Sequence, residues 1–166
     1  MNKIQLQQQL IDAFENFTSP LHALSNETLN AKPEQGTWTL GQLVQHIVLA
    51  TSGLPDKETK TASRPSDQLE PSIRETFLES QEKFTSPEFI TPAKKEYDCA
   101  SLITNLHKNE NDLLAIIKEK DLNQLCMDIE LPGWGNLTRL EWIKLITYHI
   151  QRHTKQLKNL LNNQAS

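Results

Sequence analysis

Features that mark specialised classes of protein are scarce in this sequence. Its two cysteines, Cys99 and Cys126, lie far apart and form no CxxC pair, which argues against a disulfide framework and a thiolate zinc site. None of the five glycines falls in GxGxxG or GxxxxGK spacing, so a phosphate-cradling loop is not expected. The longest unbroken apolar run, Leu113-Leu114-Ala115-Ile116-Ile117, is far below the ~18 residues of a membrane span. Met1-Asn2-Lys3-Ile4-Gln5 enters a mixed polar and apolar pattern without the apolar stretch of a signal peptide. Positive charge is not in excess either: 17 basic and 21 acidic residues leave a formal charge of −4, whereas nucleic-acid binding ordinarily needs a basic surface. What remains is a single cytoplasmic domain over residues 1–166, long enough to bury a core unaided, with neither a membrane nor a nucleic-acid partner expected.

The pattern that is present is helical. Ile4, Leu10, Ile11, Phe14 and Phe17 recur at helical spacing and predict a first helix ending before Pro20. A turn-rich stretch around Asn26, Asn30, Pro33 and Gly36 follows. Thr39 with Gln42 three residues on has the spacing of a capping box, in which the two residues bond each other's backbone N–H. The second helix then runs on Leu40, Leu43, Val44, Ile47 and Ala50 until Gly53 and Pro55. Residues 55–97 read as a long crossover carrying one short helix, started by a capping box at Ser72 to Glu75 and ending near Phe84. A long helix from about Asp98 to Lys120 carries the stripe Leu102, Leu106, Leu113 and Ile117, with a polar gap at Asn109 and Glu110. A third capping box, Thr138 to Glu141, opens the last helix, which runs to about Asn162. No segment alternates with a strand period, so the expected fold is all-α. Four long amphipathic helices with the long connection between the second and third predict a four-helix bundle in up-down-down-up order.

Chemistry concentrates in the histidines. His149 and His153 are four residues apart, ~40° in azimuth and one turn from each other on a helix. With Trp142 as reference, Ile146, His149, His153, Leu157 and Leu160 fall within roughly 60° of it, so the imidazoles interrupt the middle of an apolar stripe. An imidazole buried there needs a hydrogen-bond partner or a metal, because an unsatisfied polar group costs on the order of 1–3 kcal/mol. His46 flanks the apolar face of the second helix and can reach the same axis. Three imidazoles from two helices form a set with an open coordination position, suited to Zn, Ni, Fe or Cu rather than Mg or Ca. A second reading stands beside it: His149 and His153 bond Tyr148, Gln156 or Glu110 and fix helix register in a non-enzymatic binding module.

The stretch from Trp38 and Thr39 to His46 resembles the element opening the second helix in the DinB/YfiT-like superfamily. The stretch from Gly135 to Trp142, running on to His149-Ile150-Gln151-Arg152-His153-Thr154-Lys155-Gln156-Leu157, is similar to that family's closing helix with its HxxRHxxQL signature. The resemblance implies a four-helix bundle with a divalent metal, zinc or nickel foremost, held at His46, His149 and His153. It further implies a transferase or hydrolase acting on a small molecule, in some members with a low-molecular-weight thiol that receives or donates a group through sulfur.

Three other residues carry weaker expectations. Glu110, in the stripe gap, is placed as a catalytic base beside the metal or as a buffered polar core position. Trp134, between Gly133 and Gly135, lines the mouth of a substrate pocket or pins a loop. Arg152 contacts substrate or pairs with an acid on a neighbouring helix. His22 and His107 read as surface residues, and exposed edges of the apolar stripes make a homodimer the expected assembly.

Overall fold

The computed structural model describes residues 2–34, 38–82 and 86–165, with the side chains of 164 and 165 left aside. The chain is mostly helical. Helix α1 (Lys3–Thr18) starts where the Asn2 side chain accepts the Gln5 N–H at 2.8 Å, satisfying one of the donors a helix start leaves open. It buries Leu6, Leu10, Ala13, Phe14 and Phe17 and gives way at Pro20 to a 3₁₀ turn, Ser19–Ala23. The stretch read as turns contains a short helix, α2 (Asn26–Asn30), capped by Ser25. Gly36 of that stretch lies outside the described residues. Asn30 accepts the Tyr97 N–H and donates to the Tyr97 carbonyl, both at 2.7 Å, tying α2 to the far end of the crossover.

Helix α3 (Leu40–Ala50) begins on the capping box expected of Thr39 and Gln42, with both bonds formed. The crossover departs from the sequence reading. Its helix, α4 (Glu70–Arg74), starts before Ser72 and has Pro71 in its first turn, where a missing N–H costs nothing. Ser72 caps nothing, because its hydroxyl accepts from Trp134 Nε1 at 3.0 Å. The Leu69 N–H at the helix start is bound instead by the buried Glu141 carboxylate, at 2.9 Å. α4 continues as a π-helical turn, Glu75–Glu79, closed by Ser80 N–H on the Glu75 carbonyl. Phe84, its expected end, is outside the described residues. A 3₁₀ turn, Glu88–Ile90, precedes the next long helix.

Two strands are present where none was read: β1 (Thr59–Thr61) pairs antiparallel with β2 (Gln124–Cys126). Three residues are too few for a period of two to show in a sequence. Helix α5 (Cys99–Glu119) is capped by Asp98, and α6 (Arg139–Ala165) by the Thr138–Glu141 capping box. Besides this cap and the Leu69 N–H, Glu141 accepts both Arg64 guanidinium nitrogens at 2.7 and 2.9 Å.

α1 packs against α5 and α6, and so does α3, around a core that includes Phe14, Phe17, Ile47, Leu106, Ile143 and Ile150. Lys3, at the start of α1, donates to the carbonyls of Lys118 and Lys120 at the end of α5. At the other end of α1, the Cys99 thiol donates to the Leu21 carbonyl. Asn109 accounts for half of the polar gap. It is buried and donates to Val48 O and Thr51 Oγ1 at 2.9 and 3.0 Å, joining α5 to the end of α3. Among the described residues no helix is long and apolar enough to cross a membrane.

Candidate metal centre

His46 lies two turns into α3, held by the helix that Thr39 and Gln42 start. Only 2% of it is exposed, and Trp38, just ahead of the cap, leans on its ring at 5.0 Å. His149 and His153 stand one turn apart on α6 with ring centroids 4.7 Å apart. The His46 ring lies 4.9 Å from the first and 4.8 Å from the second, nearly edge-on to both. The three residues offer one ligand atom each within 4.8 Å of one another.

The nitrogens are closer still. His149 Nε2 is 3.1 Å from His46 Nε2 and 3.0 Å from His153 Nε2. Two imidazole nitrogens bound to one ion at roughly 2.0–2.1 Å stand ~2.8–3.4 Å apart, depending on the coordination angle. The histidine set therefore fits a divalent transition metal.

The protons are placed accordingly. His46 Nδ1 donates to the Ile90 carbonyl at 2.7 Å, and His153 Nδ1 donates to Gln156 Oε1 at 2.8 Å. In a neutral ring an Nδ1 proton leaves Nε2 as a bare lone pair. Two lone pairs thus face His149 Nε2, and a single N–H there cannot fully satisfy both. Burial, reinforced by the other two imidazoles, holds the His149 ring well below its ordinary pKa. Burial first, then His46, brings His153 down to about 4. His46 is lowered by burial against the opposing pull of the Ile90 carbonyl. At neutral pH all three rings are uncharged, as metal ligands must be.

The remaining predicted residues lie elsewhere or do other work. Glu110 is apart from the histidine cluster: it faces His107 at 3.8 Å and lines a cleft of about 530 Å³ with Glu15, Thr18 and His22. Tyr148 bonds Glu70 rather than either histidine. Arg152 donates to the carbonyls of Thr76, Phe77, Ser80 and Glu82, at the open end of the π turn. Trp134 stands in a loop where Gly133 and Gly135 take φ of 83° and 72°, a region that favours glycine. Two participants escaped the sequence reading. The Ile90 carbonyl is a backbone group and carries no residue-type signal. Phe77, whose ring is 5.5 Å from that of His149, sits on the π turn, a helix irregularity frequent at functional sites.

No solved structure matches the chain. It is 26% identical over 146 residues to an uncharacterized protein, YuaE, of Bacillus subtilis (strain 168), covering 84% of this chain and 87% of that one. The family model of the DinB superfamily matches residues 9–157, a span that takes in α3, the crossover and the histidine pair of α6. This chain belongs to the DinB superfamily.

Proposed function

We propose that this protein is a metal-dependent enzyme of the thiol S-transfer type, acting on a small electrophile in the cytoplasm. His46, His149 and His153 are the residues that hold its divalent ion, zinc or nickel. The observation that carries the reading is the convergence of three Nε2 atoms, two of them with lone pairs fixed by carbonyl oxygens on the opposite ring nitrogen. A divalent ion held by three neutral ligands keeps its full charge and lets a nearby thiol or water lose its proton near neutral pH.

Two nucleophiles, a thiol or water, suit such a site. A thiol, with an ordinary pKa of about 8.5, needs less help than water to ionise. In the proposed reaction the thiolate sulfur bonds the electrophilic carbon, the leaving group departs with its electron pair, and the thiol proton passes to solvent. Water in place of the thiol gives the corresponding hydrolysis.

The reading includes an up-down-down-up four-helix bundle. It is supported by the start of α1 meeting the end of α5 and by the Leu140 N–H at the start of α6 bonding the Leu122 carbonyl just past α5. The side-by-side course of α3 and α5, tied by Asn109, supports it as well. A homodimer remains the proposed assembly, and the charge of −4 speaks against a nucleic-acid partner.

The test is zinc and nickel titration, followed by thiol consumption in the metal-loaded protein with a panel of small electrophiles. Metal uptake at one ion per chain and metal-dependent thiol loss are expected, and His149→Ala abolishes both. Uptake with no turnover across the panel overturns the transferase reading, and absence of uptake overturns the metal reading.

A further inference from the structure

Beside the histidines lies a second feature that the metal does not use. Thr76, Phe77, Leu131, Pro132 and Trp134 line a cleft of about 450 Å³, within the ~300–1,000 Å³ range of small-molecule sites. Among the described residues no charged side chain lines it. Phe77 and Trp134 are close to parallel, 30° between planes and 6.5 Å between centroids. Each ring has a flat face on which a planar group stacks at ~3.5 Å, ordinary carbon contact distance. Phe77 also lies 5.5 Å from the His149 ring, so one side chain of the cleft lining borders the histidine cluster.

Both walls are anchored from outside the cleft. The π turn that presents Phe77 is fixed by Arg152 on the carbonyls of Thr76, Phe77 and Ser80. Below it, α4 is fastened to α6 by the Tyr148–Glu70 hydrogen bond. Trp134 is held by its Nε1 on Ser72 Oγ at 3.0 Å, and its loop is closed by paired bonds between Leu131 and Gly135. The indole nitrogen is occupied, so what this side chain offers a ligand is its flat apolar face. Anchored aromatic faces lose little entropy on binding, which is what a preformed recognition pocket requires.

We infer that the Phe77–Trp134 cleft is the specificity pocket of this protein and takes a planar, uncharged aromatic group of the substrate, whose reacting atom extends past Phe77 toward His149. The inference rests on the proposed metal site for its place in the reaction, but the cleft's preference is measurable without metal.

The probes are benzyl alcohol and its saturated counterpart cyclohexylmethanol, titrated into metal-free protein while the Leu131 methyl and Trp134 indole NMR signals are followed. Benzyl alcohol is expected to bind about three- to tenfold more tightly than cyclohexylmethanol, the range of an aromatic contact beyond its buried area. Trp134→Leu, which keeps an apolar wall, removes that difference, and Phe77→Leu does the same from the other side. In zinc-loaded protein, benzyl mercaptan binds more tightly than ethyl mercaptan, and either substitution narrows the gap. Equal affinities for the ring and its saturated counterpart, or a preference that survives Trp134→Leu, overturn the inference. A benzyl preference in a protein that takes up no zinc sustains the cleft and overturns the metal reading alone.

Discussion

Histidines gather on two faces of this molecule with opposite results. Between α3 and α6, His46, His149 and His153 turn three Nε2 atoms toward one another at 3.0–3.1 Å, out of reach of most solvent. Between α1 and α5, His107 and Glu110 pair at 3.8 Å, and the His107 side chain is 54% exposed. His22 and Glu15 complete that second cleft. The first group is an organised ligand set, and the second lines an open cleft. What separates them is the support behind each ring. On the α3/α6 face a carbonyl oxygen holds the opposite nitrogen of two rings, fixing tautomer and aim together. On the α1/α5 face His107 meets Glu110 at 3.8 Å, and a pair with one partner so exposed contributes little.

The sharpest way to break the comparison is to remove a ligand. His149→Ala is expected to lower zinc affinity by more than ~100-fold, beyond what loss of a supporting partner usually costs. His107→Ala and His22→Ala leave it unchanged, with isothermal titration as the measurement. Next in size is the effect of stripping the metal. With zinc at 100 times its dissociation constant, adding a chelator removes about 2.7 kcal/mol of stability. This reads as a lower urea midpoint in the wild type and as no change in His149→Ala.

Acid weakens the histidine cluster in metal-free protein. His153 titrates at about 4 when folded and near 6.5 when unfolded, and His149 is displaced in the same direction. Unfolded chains therefore bind protons first as pH falls, so stability is full above pH 6.5 and declines from there toward pH 4. The urea midpoint at pH 4.5 lies below that at pH 7, and replacing His153 with Phe flattens the decline. A smaller effect tests the support itself. Gln156→Ala frees the His153 ring and is expected to weaken zinc binding by about tenfold, read in the same titration. Smallest is Glu110→Gln, expected to change stability by no more than ~0.5 kcal/mol and zinc uptake not at all.

The contrast also explains what the sequence made legible. Capping boxes at Thr39 and Thr138 were readable because they close over three residues, using only what lies between them. The same spacing at Ser72 misled, because its hydroxyl is claimed by Trp134 from 62 residues away in the chain. The histidine pair was legible through helical periodicity, and His46 through its place beside an apolar stripe. Gln156 was readable as a partner by its i, i+3 spacing from His153. The Ile90 carbonyl and the Phe77 ring were not, since both arrive from an irregular crossover without a period. The polar gap of α5 was visible, but azimuth alone did not decide which of its residues turns inward. Asn109 does so and joins α3, while Glu110 turns toward α1.

A crystal of zinc-soaked protein, measured at the zinc absorption edge, tests the central claim most directly. The account predicts one anomalous peak per chain at roughly 2.0–2.1 Å from Nε2 of His46, His149 and His153, with nothing in the cleft of His107 and Glu110. A peak in that cleft with the three Nε2 atoms left bare, or no peak at either face, contradicts it.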